Sequence, residues 1–344
     1  MTQPVYRIGI DFGGTKTEII ALDGRNDKEL FRKRLPSVKD YQKTLELFTG
    51  LIHEAEAAIG GEATIGMGIP GSVSRDNGLV KNCNAMWVNG QPLKKDIEAK
   101  LGRTVRIQND ANCLAVSEAT DGAGAGAGVV FAMIIGTGFG AGIVVDGKPL
   151  DGINGIAGEW GHNSLPYPRL YVPKTLDHGY PKECENPANA PVNITHDKSW
   201  GEYPGPLCYC GKTGCQEMFV SGTGLKMDYA RVTGEEMSTH DIIANARKKE
   251  PKASAALERF MDRLARSMSA VMNILDPDVI VLGGGMSNVD EIYTQVPKIW
   301  GRYVNSDTVH TPLKPARHGD SSGIRGAAWL WPMIGESEAL KKSA

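Results

Sequence analysis

The chain opens on an apolar run, Tyr6–Ile10, that stops at Asp11-Phe12-Gly13-Gly14-Thr15-Lys16 and resumes as Thr17–Leu22 before Asp23-Gly24. Short apolar runs bounded by glycine predict strand, tight turn, strand and turn. Leu30–Leu35 predicts a third strand that completes a meander. The period then changes: Leu45, Phe48, Ile52, Ala55 and Ile59 recur at helical spacing and predict a helix over Tyr41–Ile59. Thr64–Ile69 predicts a buried strand ended by Pro70-Gly71, Lys94–Leu101 a helix, and Val105–Gln108 a strand. Asn109-Asp110-Ala111-Asn112 carries the residue types that cap helices, and the helix it begins is expected to reach about Thr120.

After Gly122–Gly128 the chain partly repeats its beginning. Met133–Ile135, Gly136-Thr137-Gly138-Phe139-Gly140 and Ala141–Val145 again predict strand, glycine turn and strand, closed by Asp146-Gly147. This points to an internally duplicated α/β fold, with the glycine run as the domain boundary and the two turns facing each other across a cleft. The expected domains are 1–121, joined by a C-terminal helix at about 320–335, and 122–319. The second copy is interrupted by a Pro- and Asn-rich stretch at about 166–206 without periodicity, read as an insert. Beyond it, Leu257, Phe260, Met261, Leu264, Met268, Val271, Met272 and Leu275 mark one face of a long helix that ends at Asp276-Pro277. Val279–Leu282 is then a strand running into Gly283-Gly284-Gly285, and a last helix near Ser322–Trp331 precedes a polar tail.

Charge narrows the function. Thirty-eight Lys+Arg against 40 Asp+Glu give a formal net charge of -2, so no long-range field favours nucleic acid or anionic lipid, and neither is expected as a partner. No window approaches the roughly 18 apolar residues of a membrane span, and no secretory signal opens the chain, so a cytoplasmic location is expected. Of the six cysteines, Cys208, Cys210 and Cys215 cluster, which in such a compartment favours metal over disulfide. Cys83 and Cys113 are expected to be packing residues.

The 42 glycines include three turns placed directly after apolar strands, at Asp11–Lys16, Gly136–Gly140 and Gly283–Gly285. Residues without Cβ let backbone N–H groups approach phosphate oxygens. A P-loop is absent, because Gly211-Lys212-Thr213 has Pro206 where the upstream glycine must stand. Gly136-x-Gly138-x-x-Ala141 matches a dinucleotide fingerprint formally, but a strand rather than a helix is expected after it. Asp110, at a strand end and helix start, suits either a catalytic base or a helix cap.

Taken together and in order, Asp11–Lys16, Gly68-Ile69-Pro70-Gly71, Asn109–Asn112, Gly136–Gly138, Gly158-Glu159-Trp160-Gly161-His162, Cys208-x-Cys210-Gly211-x-x-Gly214-Cys215-x-Glu217 and Gly283–Gly285 resemble the ROK family (repressors, open reading frames and kinases). The likeness covers nearly the whole chain apart from the insert. It implies the actin/hexokinase-like (ribonuclease H-like) duplicated two-domain ATPase fold with a central cleft, and ATP-dependent phosphorylation of a sugar. The Asn273–Asn288 and Gly319–Trp331 segments resemble bacterial fructokinases of the manno(fructo)kinase type, implying D-fructose as acceptor, with mannose as a further substrate. Glucokinase and N-acetylglucosamine kinase are the alternatives within the family. A sugar-sensing transcriptional regulator is the alternative of another class, but the first strand starts by Tyr6 and leaves no room for a helix-turn-helix before it.

The resemblance also implies roles. Asp110 is the general base. Gly71, Asn84, Asn109, Glu159, His162 and Glu217 contact the sugar beside it, and the protein is a homodimer. Asp11 would hold Mg²⁺ through water, since a bare carboxylate beside a phosphate turn repels ATP. Gly13, Gly14, Thr15, Lys16, Gly136, Thr137 and Gly138 would hold phosphates, and Gly284-Gly285 adenosine. Three clustered cysteines and a histidine suit structural Zn²⁺; the residues alone leave His162, His178, His196 and Cys184 open as the fourth ligand, and the resemblance selects His162. Zinc would then fix the loop that carries Glu217.

Overall fold

The computed structural model describes residues 5–173 and 194–331. The middle of the insert, with His178 and Cys184, and the polar tail lie outside the described residues. The first half runs β1 (Tyr6–Phe12), β2 (Lys16–Asp23), β3 (Glu29–Pro36), α1 (Tyr41–Ile59), β4 (Ala63–Ile69), the short β5 (Ser72–Val73) and β6 (Val80–Lys81), α2 (Leu93–Leu101), β7 (Val105–Asn109) and α3 (Asp110–Thr120). Its sheet has the order β3-β2-β1-β4-β7. The meander β1-β2-β3 is antiparallel, whereas β1, β4 and β7 are parallel.

The second half repeats this plan. It comprises β8 (Val129–Ile135), β9 (Phe139–Val145), β10 (Lys148–Pro149), β11 (Leu170–Tyr171), β12 (Ile194–Thr195), α4 (Glu217–Val220), α5 (Gly222–Thr233), α6 (Thr239–Arg247), α7 (Pro251–Leu275), β13 (Val279–Gly283), α8 (Asp290–Ile299), β14 (Leu313–Pro315) and α9 (Ser322–Ala328). The sheet order is β10-β9-β8-β13-β14, with β10-β9-β8 antiparallel and β8, β13 and β14 parallel. Three antiparallel strands followed by two parallel ones, twice over, is the duplication that the two hairpins predict.

Side-chain periodicity explains the layers. Leu45, Phe48, Leu51, Ile52 and Ala55 of α1 are buried against Ile8, Ile10, Ile65 and Met67 of the first sheet. On its other face α9 lies so close to the strands that a Cβ at Gly66 would collide with the Ala327 carbonyl. Helix α3 packs on both α9 and the second sheet through β8 and β9. The Gly122–Gly128 run folds back on α3: the Ala123 N–H reaches the buried Glu118 carboxylate at 2.8 Å, and Ala123 and Ala127 pack against Leu114 and Val130.

Two expectations are adjusted. The last helix ends at Ala328, short of Trp331. Helix α7 carries the expected apolar face, but its other side is buried too, with Arg259, Arg263 and Arg266 among the most enclosed side chains. Glu202 accepts from Arg263 Nε at 2.8 Å and from Arg266 Nη2 at 2.7 Å, and Asp228 accepts from Arg259 Nε at 2.7 Å. Asp262 joins Arg169 and Arg266, each at 3.0 Å. Glu202 and Arg169 belong to the expected insert, so its two described ends are fastened to α7 by buried charge. The described part of the insert also forms the parallel pair β11 and β12 and a 3-10 turn at Lys198–Trp200.

Candidate functional site

Strands β1 and β4 run parallel and in register, Asp11 opposite Gly68, so both end at the same edge of the sheet as β7, where Ile69 pairs with Asn109. The carboxylate of Asp11 therefore comes close to the start of α3. Burial pushes the Asp11 carboxyl up to about 6, against the pull of Lys16 and with a further push from Glu18. Such a carboxylate is costly to leave charged alone, and a cation held through water would relieve it. This chemistry fits Mg²⁺.

Asp110 is the first helical residue of α3. The capping is carried by Asn109, whose side-chain oxygen accepts the Ala111 N–H at 2.9 Å while its amide nitrogen donates to the Gly71 carbonyl at 3.2 Å. Asp110 also takes the Ala111 N–H at 2.8 Å. Its carboxyl is nevertheless pushed up to about 7, by burial first and then by the charges of Asp11 and Glu159. A carboxyl that changes charge near neutrality, between two other carboxylates, is suited to accept a proton.

Glycine turns border these acids. In the first, the Gly13 N–H closes on the Lys16 carbonyl at 2.9 Å, with Thr15 and Lys16 exposed and the Asn84 amide oxygen beside Gly14. In the second, Gly136 N–H bonds the Gly138 carbonyl at 3.0 Å and leaves Thr137 and Gly138 exposed. The third has Gly284 at φ 79°, where an added Cβ would sit 2.6 Å from the Ile135 carbonyl oxygen, so only glycine fits. Gly285 then opens a short 3-10 turn. As expected, a strand follows the second turn, which removes the dinucleotide reading.

Glu159 and His162 lie on one 3-10 turn, pinned by the intervening Trp160, which stacks on Phe139 at 4.7 Å and meets Phe131 edge-on at 5.1 Å. The same strip is laced to the cysteine loop: Leu165 N–H donates to Gly214 O at 3.0 Å and Gln216 N–H to Asn163 O at 2.9 Å. These contacts bring His162, Cys208, Cys210 and Cys215 together, with their ligand atoms all within 4.8 Å of one another. Cys208 Sγ lies 3.6 Å from His162 Nδ1, and Cys210 Sγ lies 3.6 Å from Cys215 Sγ. A tetrahedral zinc with Zn–S of about 2.3 Å and Zn–N of about 2.1 Å requires separations of about 3.6 and 3.8 Å. The donor set fits zinc. His196 is directed elsewhere, its Nδ1 2.7 Å from the Val172 carbonyl oxygen.

Glu217 connects this loop to the second glycine turn. One carboxylate oxygen is 3.9 Å from Cys208 Sγ, and the other receives the Phe139 N–H at 3.4 Å. One residue that sequence reasoning passed over also stands here. Tyr209, between two of the cysteines, places its hydroxyl 2.9 Å from His162 Nε2. Its position between two candidate metal ligands is the signal that could have drawn attention to it.

Two sheets of matching order, with glycine turns at strand ends and Asp11 and Asp110 at the edge of the first, define a duplicated actin/hexokinase-like α/β protein. The chain belongs to the ROK family, whose model matches residues 7–334. An N-acetyl-D-glucosamine kinase of Vibrio cholerae is 38% identical over 324 residues, covering 94% of this chain and 98% of the relative. One from Pectobacterium atrosepticum is 37% identical, covering 94% and 97%. Among solved structures, the ROK hexokinase of Thermus thermophilus has a TM-score of 0.77 at 26% identity, covering 98% of this chain and 99% of that one. A ROK-family transcriptional regulator has a TM-score of 0.75 at 21% identity, covering 98% of this chain and 80% of that one, which is a likeness of fold.

Proposed function

We propose that this protein is an ATP-dependent sugar kinase whose preferred acceptor is N-acetyl-D-glucosamine. The fructose reading yields to this one because relatives matching across 94% of the chain are N-acetyl-D-glucosamine kinases. The observation that carries kinase chemistry is Asp110, poised near neutrality between Asp11 and Glu159 at a helix start.

In this reading Asp110 accepts the proton of the sugar's C6 hydroxyl as its oxygen attacks the γ-phosphorus, and the bond from that phosphorus to the β–γ bridging oxygen breaks to release ADP. Gly14, Thr15, Lys16, Thr137 and Gly138 hold the phosphates through backbone donors and side chains, with Gly13 and Gly136 closing the two turns through their own N–H groups, and Gly284-Gly285 receives adenosine. Mg²⁺, held through water by Asp11, would offset phosphate charge. Gly71, Asn84, Asn109, Glu159, His162 and Glu217 form the sugar wall, where each buried polar group left unpaired by a wrong sugar costs about 1–3 kcal/mol. Zinc on His162, Cys208, Cys210 and Cys215 would hold that wall in place.

ADP release measured with N-acetylglucosamine, glucose, mannose and fructose tests this. The expected result is a kcat/KM for N-acetylglucosamine at least ten times that of the others. A preference for fructose overturns the acceptor, and no sugar-stimulated ADP release overturns the kinase reading.

A further inference from the structure

The stretches that supply the sugar wall meet at a side chain to which none of the roles above is given. Gln108 lies on β7 just before Asn109 and Asp110. Its amide oxygen accepts the Asn109 N–H at 2.8 Å and, at 3.1 Å, the side-chain N–H of Asn112, which is buried on the first turn of α3. Its amide nitrogen donates to a carboxylate oxygen of Asp151 at 2.5 Å. Two donors on one side and an acceptor-only carboxylate on the other permit a single orientation of this amide. Asp151 thus holds Gln108 the way round that serves Asn109 and Asn112.

Asp151 belongs to the second half of the chain, just after β10. Its own carbonyl accepts the Ala157 N–H at 3.2 Å, and the Glu159 N–H bonds the Ile156 carbonyl at 3.1 Å, so its loop is knit directly to the turn of Glu159 and His162. The hairpin of β5 and β6, which follows Gly71, reaches the same loop. Lys81 Nζ donates to the Asn154 carbonyl at 3.3 Å, and Arg75 Nη2 lies 3.8 Å from the second Asp151 oxygen. The Gly71 carbonyl is itself held by the Asn109 amide. These bonds form a circuit through Gly71, Asn109, Gln108, Asp151, Asn154 and Lys81. The exposed Arg75 and Lys81 contacts add little to it. The short, charge-assisted bond from Gln108 to Asp151 is the strong link between the two halves.

We propose that Asp151 is a positioning residue for the acceptor sugar. Through Gln108 it holds Asn109 and the start of α3 in register with the loop of Glu159 and His162, so that the two sides of the sugar wall keep one geometry. Asp151 acts on sugar affinity and leaves the nucleotide side of the cleft alone. The inference rests on the sugar-kinase reading for the identity of the ligand.

The test is a double-mutant cycle in the full-length, zinc-loaded protein, comparing wild type, Asp151→Ala, Gln108→Ala and the double variant. Each is titrated calorimetrically, without ATP, with whichever of N-acetylglucosamine, glucose, mannose and fructose the wild type binds most tightly, and separately with ADP and Mg²⁺. Asp151→Ala should weaken sugar affinity about 5- to 20-fold, the worth of one hydrogen bond to a charged group at a half-exposed position. In the Gln108→Ala background the same change should cost less than about twofold, and ADP affinity should stay within about twofold throughout. Asp151→Asn keeps an acceptor oxygen for Gln108 and should recover affinity to within about threefold of wild type. Unchanged sugar binding by Asp151→Ala overturns the proposal, as does a failure of Asn to restore it. An equal loss in both backgrounds overturns it too, because Asp151 then does not act through Gln108. A parallel loss of ADP affinity overturns it because the effect is then on the fold at large. Since the sugar titration contains no ATP, a wild type that binds a sugar without phosphorylating it defeats the kinase reading and still measures Asp151. A wild type that binds none of the four sugars defeats both.

Discussion

Replacing Asp110 by Asn separates catalysis from stability in a way that a simple structural role does not. A native pKa of about 7 against an ordinary 3.8 means that folding favours the protonated carboxyl. Between those values the folded chain holds a proton that the unfolded chain has lost, so stability falls as pH rises through that window and the cost is complete above about pH 7. At 1.36 kcal/mol per unit the difference is at most about 4 kcal/mol. Asp110 is partly open to water, and a helix start favours a carboxylate by about 0.3–1 kcal/mol, so about 1–3 kcal/mol is the reasonable range. The Ala111 N–H keeps its partner, since Asn109 accepts it as well. Denaturant unfolding of wild type and Asp110→Asn without added Mg²⁺ should show the variant more stable at pH 8 by that amount, with a smaller gain at pH 5. Turnover should fall by at least about 100-fold, the contribution of a general base. A variant no more stable at pH 8 than at pH 5, relative to wild type, would refute this reasoning, as would retained turnover.

Other consequences are equally direct. Chelation of zinc, or Cys210→Ser, should lower the melting temperature and weaken sugar binding together, because the cysteine loop positions Glu217; calorimetry showing sugar affinity untouched in metal-free protein would contradict this. Glu202→Gln removes the partner of two buried guanidinium groups and should cost about 3–5 kcal/mol at pH 7 in denaturant unfolding. Arg266 and Arg263 hold the Glu202 carboxyl below its usual value despite burial, so that loss should shrink as wild type is acidified through the native pKa of Glu202. Gly284→Ala forces a Cβ toward the Ile135 carbonyl at a positive φ and should raise the KM for ATP several-fold while leaving sugar binding unchanged by calorimetry.

Much of the scaffold is legible because burial imposes a period. Leu45, Phe48, Ile52 and Ala55 can face a sheet only from a helix, and the two strand-glycine-strand openings announce the duplication before any contact is known. The acids and glycine turns are legible through their residue types and order. The Arg259, Arg263 and Arg266 stripe is different: at positions 259, 263 and 266 it has helical spacing, but the same pattern ordinarily marks a solvated face. Only Glu202 and Asp228, brought in by tertiary folding beside the helix's own Asp262, turn it into a buried fastening. Tyr209 is obscured for a similar reason, since its meaning depends on His162, which is 47 positions away. The acceptor sugar is set by the shape of a wall that short motifs share across the family.

Phosphorus NMR of the protein incubated with ATP, Mg²⁺ and N-acetylglucosamine tests the central claim most directly. A sugar phosphomonoester resonance should grow in step with ADP, coupled to the C6 protons, and be absent with Asp110→Asn. ADP formed with inorganic phosphate alone, or a phosphomonoester formed at undiminished rate by Asp110→Asn, would contradict it.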